Sequence, residues 1–466
     1  MVSGGQNIKS THFRNLVSVN PFILLSFHSS LSKSANSLYH IFFHTPGAMN
    51  LLKTDTYEVV RVSRSPPPYA ILSHRWEAEE ITYDIIKTIK PSALHNPSFP
   101  AIPTNLRPSA AKIRGACTIA QRQGFKYIWI DTCCIDKTKS EELRYALNMM
   151  FKWYRDASIC YTYLNDVVFS APNENMFLSD RQDRRGQPSE WFERGWTLQE
   201  LLAPREMQFF DKRWRPMGTR NKLAILVGRI AGIDPDYLSG KRDLSKASCA
   251  TKMSWMAGRI TRDVEDIAYS LIGIFDVFLT PIYGEGAKAF FRLQEAIMTE
   301  YGRFDESLFA WETPQDSKLR CYKNTAKARD FCSSKWGLLA PSPDCFRRSG
   351  DIFVVKELVE QRQAGGFGRS HQGIFFTLPA REVNHRFGGS RNEIIMPLNC
   401  WRGSHDVPEA IILRLSRIAD NAFVRTQCGQ LCSQKGAKVG RKGNVVVSIP
   451  QPQLGQDLGS RSSQFR

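Results

Sequence analysis

The feature that most constrains this chain is an alternation of two patterns between Tyr69 and Asp211. Short apolar runs at Tyr69–Ser73, Lys126–Asp131, Ile159–Leu164 and Glu206–Asp211 read as buried strands. Between them lie stretches with helical spacing. In Ser109–Gly124, Ile113, Cys117 and Ala120 fall on one face, and Gly124 suits the C-terminal stop. In the stretch from Thr138 to Ala157, Leu143, Leu147, Met150 and Tyr154 fall on one face, and Thr138 with Glu141 has capping-box spacing. A polar stretch running to about Pro188 separates the third strand from "RGWTLQELLAP", a short helix stopped by Pro204. Strand–helix–strand order predicts an α/β fold, a parallel sheet with helices on both faces. Ligands bind such sheets outside the carboxyl ends of the strands, so Ser73, Asp131 and the residues after each are candidates for one site.

Composition narrows the function classes. The net charge of +18 invites a nucleic-acid partner. Much of that excess sits at the ends: the first acid is Asp55, and from Asn421 onward Asp457 stands alone against seven Lys and Arg. No finger spacing, RNP-like strand or basic zipper accompanies it, so no specific nucleic acid is expected. The 11 cysteines form no CxxC pair, which argues against a zinc ribbon, and no metal site is expected. Reduced thiols in a cytoplasmic setting are the default, and no apolar run has the length of a membrane span.

The chain divides by pattern. Residues 1–48 lack acids and read either as a mitochondrial-type targeting segment or, the favoured alternative, as an extension upstream of a start at Met49. Residues 49–215 hold the α/β core and 216–311 a helical continuation. Residues 312–433 form a small region of loops and short strands, and 434–466 a disordered basic tail. No Walker A sequence and no internal repeat is present.

Three blocks, in order, carry a resemblance: "YAILSHRW" (Tyr69–Trp76) with "EEITYDII", then "YIWIDTCCIDK" (Tyr127–Lys137), then "FERGWTLQELLAP" (Phe192–Pro204). Together they resemble the HET domain of fungal heterokaryon-incompatibility proteins, and Glu265–Met298 resembles the helical segment that often follows it. The family usually has Gly after the first-block tryptophan; Glu77 stands there, where a left-handed backbone would strain it. HET domains are similar to TIR domains, so the resemblance implies a TIR-like, flavodoxin-like sheet. It further implies a role in non-self recognition and regulated cell death.

Some TIR domains cleave NAD at the nicotinamide–ribose bond with one glutamate, held in plant members in a helix reading "WCLxEL". "WTLQEL" matches it, so by resemblance Glu200 takes the catalytic place and NAD enters as substrate, with no cofactor. On a helix Trp196 and Glu200 share a face, with Leu198, Leu201 and Leu202 roughly opposite. The leucines would anchor on the sheet while Trp196 and Glu200 look outward into the crevice. Ser73, His74, Arg75, Trp76, Asp131 and Arg194 complete the candidate pocket, Arg75 and Arg194 as phosphate partners. Cys133 and Cys134 have no base placed beside them by spacing. The competing reading is a non-enzymatic module that signals by self-association or through another incompatibility protein.

Overall fold

The computed structural model describes residues 49–301 apart from 63–64, 97 and 99, then 305–313, 335–354 and pieces between 367 and 447. The chain divides into two units, 1–48 with 63–65, and 49–62 with 66–466. All described residues except Ser65 belong to the second. The expectations for 1–48 and for 448–466 lie outside the described residues.

A seven-stranded sheet forms the core: β1 (Met49–Lys53), β2 (Val59–Val62), β3 (Ala70–His74), β4 (Tyr127–Trp129), β5 (Ile159–Leu164), β6 (Met207–Asp211) and β7 (Pro216–Thr219). Their order is β2-β1-β4-β3-β5-β6-β7. The four strands expected from the sequence, β3 to β6, pair in parallel. The hairpin β1–β2 and strand β7 add antiparallel edges, so the sheet is mostly rather than wholly parallel. Taken in chain order, the parallel strands lie 2-1-3-4, the flavodoxin-like arrangement. The order reverses around β3, and every residue of β3 is buried, as a central strand covered on both faces requires.

The helix Arg107–Arg122 links β3 to β4, and Ser140–Asp156 links β4 to β5. The crossovers run in opposite directions, and right-handed connections then put the helices on opposite faces. The first buries Ala110, Ile113, Ala116, Cys117 and Ala120, and closes with Gly124 donating to Gln121 and Phe125 to Ala120, a Schellman turn. The second sets Trp153 and Tyr154 against Trp129, with ring centres 5.5 and 5.8 Å apart. Tyr154 donates to the Leu72 carbonyl at 3.0 Å. The expected capping box does not form. The Thr138 hydroxyl donates to Asp136 at 2.5 Å, and the helix starts at Ser140 after an uncapped Lys139. Asp136 is the nearer and charged acceptor, and it captures the threonine in a turn.

After β7 come the helices Ala224–Ala231, Cys249–Met256 and Lys288–Tyr301. "EDIAYSLIGIF" has helical periodicity but forms only the turn Asp266–Tyr269 before breaking into tight i→i+3 turns through Asp276. Packing explains the break: a Cβ on Gly273 would lie 2.1 Å from Phe151 Cβ, so this segment runs directly against the helix Ser140–Asp156.

The C-terminal part is more regular than its sequence predicts. Strands β8 (Lys335–Trp336), β9 (Phe367–Ser370), β10 (Gly373–Leu378), β11 (Glu393–Arg402), β12 (Glu409–Ala419), β13 (Ala422–Thr426), β14 (Cys432–Lys435) and β15 (Gly443–Val447) form one sheet. All its pairs are antiparallel except β13–β15. The last two residues of β14 and all of β15 lie in the stretch expected to be a disordered tail, so pairing reaches Val447. The buried Arg425 of β13 donates to the carbonyls of Phe309 and Trp311 and covers the Trp311 ring at 4.1 Å, fixing this sheet to the segment after the last helix.

Candidate functional site

Side chains alternate along a strand, so the last two residues of β3 reach in different directions. Ser73 is fully buried, accepts the Trp191 indole N–H at 2.9 Å and donates to Glu200 Oε2 at 2.5 Å. His74 places Nε2 2.8 Å from Asp131 Oδ1, just past the end of β4. The Asp131 carboxylate also accepts the Trp76 indole N–H at 2.7 Å and the Thr132 amide at 2.9 Å. It therefore ties the first block to the second. Lys137 lies over the Trp76 ring, its nitrogen 3.3 Å from the centre.

Glu200 sits on the helix Thr197–Leu202, every residue of which is buried. Trp196 and Glu200 look into the crevice beside the strand ends, and the segment after Ser248 packs against the turn that opens the helix, where Arg259 donates to Thr197 at 3.2 Å. Ile260 donates to Glu193 at 2.6 Å, and Gly195 donates to Ile260 at 2.9 Å. A Cβ on Gly195 would fall 2.5 Å from Thr261 Cγ2, so a larger residue there would force the threonine or the turn to shift.

A cavity of about 460 Å³ opens beside these groups, within the size range of small-molecule sites. His74, Arg75, Trp76, Asp131, Arg194, Trp196 and Glu200 all line it. Ser73 does not; it stands behind Glu200 as a buried support, which corrects its expected place in the lining. Leu143, Leu147 and Met150 supply an apolar wall. Arg262, Asp263, Asp266 and Tyr283 come from the helical continuation, and sequence reasoning missed them. An acid pair before an apolar stretch, Glu265–Asp266, reads as ordinary helix-terminus charge, so no spacing marked Asp266.

The cavity holds carboxyl groups in opposed states. Burial pushes Glu200 up, and the negative Asp131 adds to this. The Ser73 hydrogen bond and the charges of Arg194 and Arg259 pull back only part of the rise, leaving it at about 8. Burial also raises Asp131, but the charge and hydrogen bond of His74 and the charge of Lys137 outweigh it and bring it down to about 2. Burial carries Asp266 to about 6, against hydrogen bonds from Trp196 and Tyr283, the latter at 2.9 Å. Environments that drive neighbouring carboxyl groups apart divide acid from base roles. The Arg194 guanidinium is depressed by burial and then by the like charge of Arg75. Arg75 has Glu190 at 3.2 Å, whereas no acid among the described residues forms an ion pair with Arg194. Two crowded guanidinium groups with one carboxylate between them favour an anion.

The remaining candidates fall outside the cavity. Cys133 donates to the Ile81 carbonyl at 3.3 Å, and burial pushes the Cys134 thiol up to about 12, so neither is an activated nucleophile. Glu77 needs no left-handed backbone; its amide donates to Glu80 at 2.7 Å and its side chain accepts from Asn165. Glu80 in turn is buried against Lys112 at 2.5 Å and Ser109 at 2.7 Å, a network that underpins the first loop. Among the described residues no group of His, Cys, Asp and Glu is arranged to hold a metal, and no helix is long and apolar enough to cross a membrane.

The fold and cavity define an α/β domain with a flavodoxin-like parallel core and a mixed-charge pocket at the carboxyl ends of its strands. Residues 69–186 match the family model for heterokaryon incompatibility protein (HET), and 288–378 match a domain of unknown function (DUF8212). The chain is 41% identical over 270 residues to Vegetative incompatibility protein HET-E-1 of Podospora anserina. That match covers 54% of this chain and 18% of the relative, so the chain spans less than a fifth of the protein it resembles. No solved structure matches. Residues 69–186 are thus similar to the heterokaryon incompatibility (HET) family, and the 270-residue match extends that similarity to an incompatibility protein.

Proposed function

We propose that this chain acts in fungal non-self recognition and regulated cell death, inside the cell, by hydrolysing NAD at the nicotinamide–ribose bond. Water adds to C1 of the ribose, nicotinamide leaves with the bonding electrons, and ADP-ribose and a proton are released. NAD is the substrate, and no cofactor is called for.

One observation carries this reading. Glu200 is a buried carboxyl group fixed by Ser73 at the wall of a nucleotide-sized cavity that also holds crowded arginines. A pyridinium ring brought into that cavity favours the ionised carboxylate by opposite charge. The carboxylate then stabilises the oxocarbenium-like transition state or holds a ribose hydroxyl. Arg75 and Arg194 take the pyrophosphate, and the Leu143–Leu147–Met150 wall takes a ring.

The test is NAD loss by the purified full-length chain, wild type against Glu200→Gln, at concentrations that allow self-association. Turnover in the wild type and none in a folded mutant is the expected result. Equal turnover in both would remove Glu200 from the reaction.

A second reading, a module that acts by assembly or through another incompatibility protein, is favoured by three exposed apolar side chains in one segment, Phe278, Ile282 and Tyr283. Sedimentation of Phe278→Ser with Ile282→Ser against wild type tests it. A loss of self-association in the double variant supports assembly, and an unchanged sedimentation profile removes it.

A further inference from the structure

Arg259 is 3% exposed and comes from the helical continuation, beyond all three blocks of the α/β core. Its Nε donates to the Trp255 carbonyl at 3.0 Å. Its Nη1 donates to the Arg194 carbonyl at 2.9 Å and reaches Thr197 Oγ1 at 3.2 Å, the turn that opens the Glu200 helix. Its Nη2 has no hydrogen-bond partner, and among the described residues no carboxylate forms an ion pair with it. A buried guanidinium without a counter-charge is costly, and that cost falls when a nearby acid ionises. The acid whose field reaches it is Glu200.

We propose that Arg259 is a positioning residue for Glu200: its guanidinium fixes the turn that presents the carboxyl group and supplies the counter-charge that the carboxylate meets when it ionises. The proposal rests on the reading of Glu200 as the reacting group, but its geometry does not depend on NAD. The other groups that act on Glu200 are Ser73 from β3, Asp131 after β4, and Arg194 on its own turn; Tyr154 and Cys160 feel its charge in return. Of the two cations, Arg194 lines the cavity and is free to turn to a ligand's phosphate, while Arg259 lies outside the lining and is held by three hydrogen bonds to the protein. The position is tight because the neighbouring residues are bridged, Ile260 to Glu193 and Gly195 to Ile260.

The test reads the Glu200 carboxyl group directly, in full-length protein, from the infrared carbonyl band that disappears in Glu200→Gln. Arg259→Gln is expected to raise the pH midpoint of that band by about one unit or more, because an opposite charge has been removed. Arg259→Lys, which keeps the charge, is expected to stay within about half a unit of wild type. In NAD assays the Gln variant should lose kcat with KM little changed. A melting temperature that falls in Arg259→Gln with an unmoved Glu200 midpoint would make Arg259 structural only and overturn the proposal. Should Arg259→Gln fail to fold, Arg259→Lys decides: a midpoint displaced by a full unit despite the retained charge would overturn the counter-charge role. If Glu200→Gln keeps NAD turnover while the band still shifts in Arg259→Gln, the reaction assignment fails and the pairing stands.

Discussion

Ser73 and Glu200 are 127 residues apart in the chain and share a 2.5 Å hydrogen bond. The serine hydroxyl has one proton to give, and Trp191 already occupies its acceptor side at 2.9 Å. Its proton is therefore committed to Glu200, and the strand end, the indole and the carboxyl group form one chain of contacts. Ser73→Ala strips Glu200 of its donor and leaves a buried indole N–H without an acceptor. A loss of about 1–3 kcal/mol is expected, since each orphaned buried group carries its desolvation cost. Urea unfolding at pH 7 measures it, and the Glu200 carbonyl band should titrate at higher pH than in wild type.

The burial of Glu200 sets a pH dependence of stability whose sign is opposite to that of a salt-bridged carboxylate. Its ordinary value is 4.5, and in the fold it is raised to about 8. Between those values the native state holds a proton that the unfolded chain gives up, so stability falls as pH rises through this window and levels off above it. Glu200→Gln removes that proton linkage. Its melting temperature should therefore match or slightly trail wild type near pH 5 and overtake it by pH 9, a swing on the order of a few kcal/mol. Parallel melting-temperature curves across pH 5–9 would mean that Glu200 is not protonated in the fold.

The strands and the site residues that follow them were legible for one reason. Each parallel strand is buried on both faces, so it shows as an apolar run, and the groups at its carboxyl end follow in the next few residues, as His74–Trp76 and Asp131 do. Glu200 was legible through its block. Its surroundings were not, because the helix Thr197–Leu202 is covered on the far side by residues around Ile260, and a leucine face with a polar face looks the same whether the polar face meets water or a cavity. Asp266 and Tyr283 enter the pocket only through tertiary packing of a segment whose period promised a longer helix. The C-terminal sheet was hidden by composition: Gly443–Val447 sits among basic and polar residues, and nothing local announces its pairing with β10.

That covering segment makes Gly273 and Gly195 sensitive for different reasons. At Gly273 an added Cβ would stand 2.1 Å from Phe151 Cβ, between two backbone-anchored atoms that cannot rotate away. Gly273→Ala should destabilise by about 1–3 kcal/mol as an overpacked contact. At Gly195 the atom met is a methyl group, Thr261 Cγ2 at 2.5 Å, which yields more readily. The displaced turn there is the one that presents Glu200, so Gly195→Ala should cost NAD turnover out of proportion to its loss of melting temperature. Thermal melts and kcat measured together separate the cases; equal proportional losses at both glycines would show that Gly195 has no special tie to the site.

The buried pair Glu80–Lys112 should show the asymmetry of internal charges. Lys112 is 2% exposed, and its nitrogen lies 2.5 Å from Glu80, which also accepts from Ser109 and from the Glu77 amide. Lys112→Met takes from that buried carboxylate its hydrogen-bonded cation and leaves the charge of His74 as its remaining support, so a loss of about 3–5 kcal/mol is expected, worst at high pH. Glu80→Gln added to it should recover part of this, because the amide is neutral and its one oxygen can still accept from the Glu77 amide. Urea unfolding of the two single variants and the double variant closes the cycle. A double variant no better than Lys112→Met would mean that the lysine stabilises through its packed stem rather than its charge.

Arg194 offers the reverse case, a residue the fold would be no worse without. Among the described residues no acid forms an ion pair with it, burial and the neighbouring Arg75 both disfavour its charge, and it faces the cavity. Arg194→Gln relieves that repulsion, so its melting temperature should equal or exceed wild type. Its affinity for ADP-ribose, which keeps the pyrophosphate and lacks the nicotinamide, should fall by about tenfold or more, the scale of a lost charge-assisted hydrogen bond. Stability gained with binding lost is the pattern expected where a strained charge is kept for a ligand. Calorimetric titration of ADP-ribose into both proteins, beside their melts, is the check. Unchanged affinity in a stabilised variant would move the phosphate to Arg75 and Arg262 and leave Arg194 without a role in the pocket.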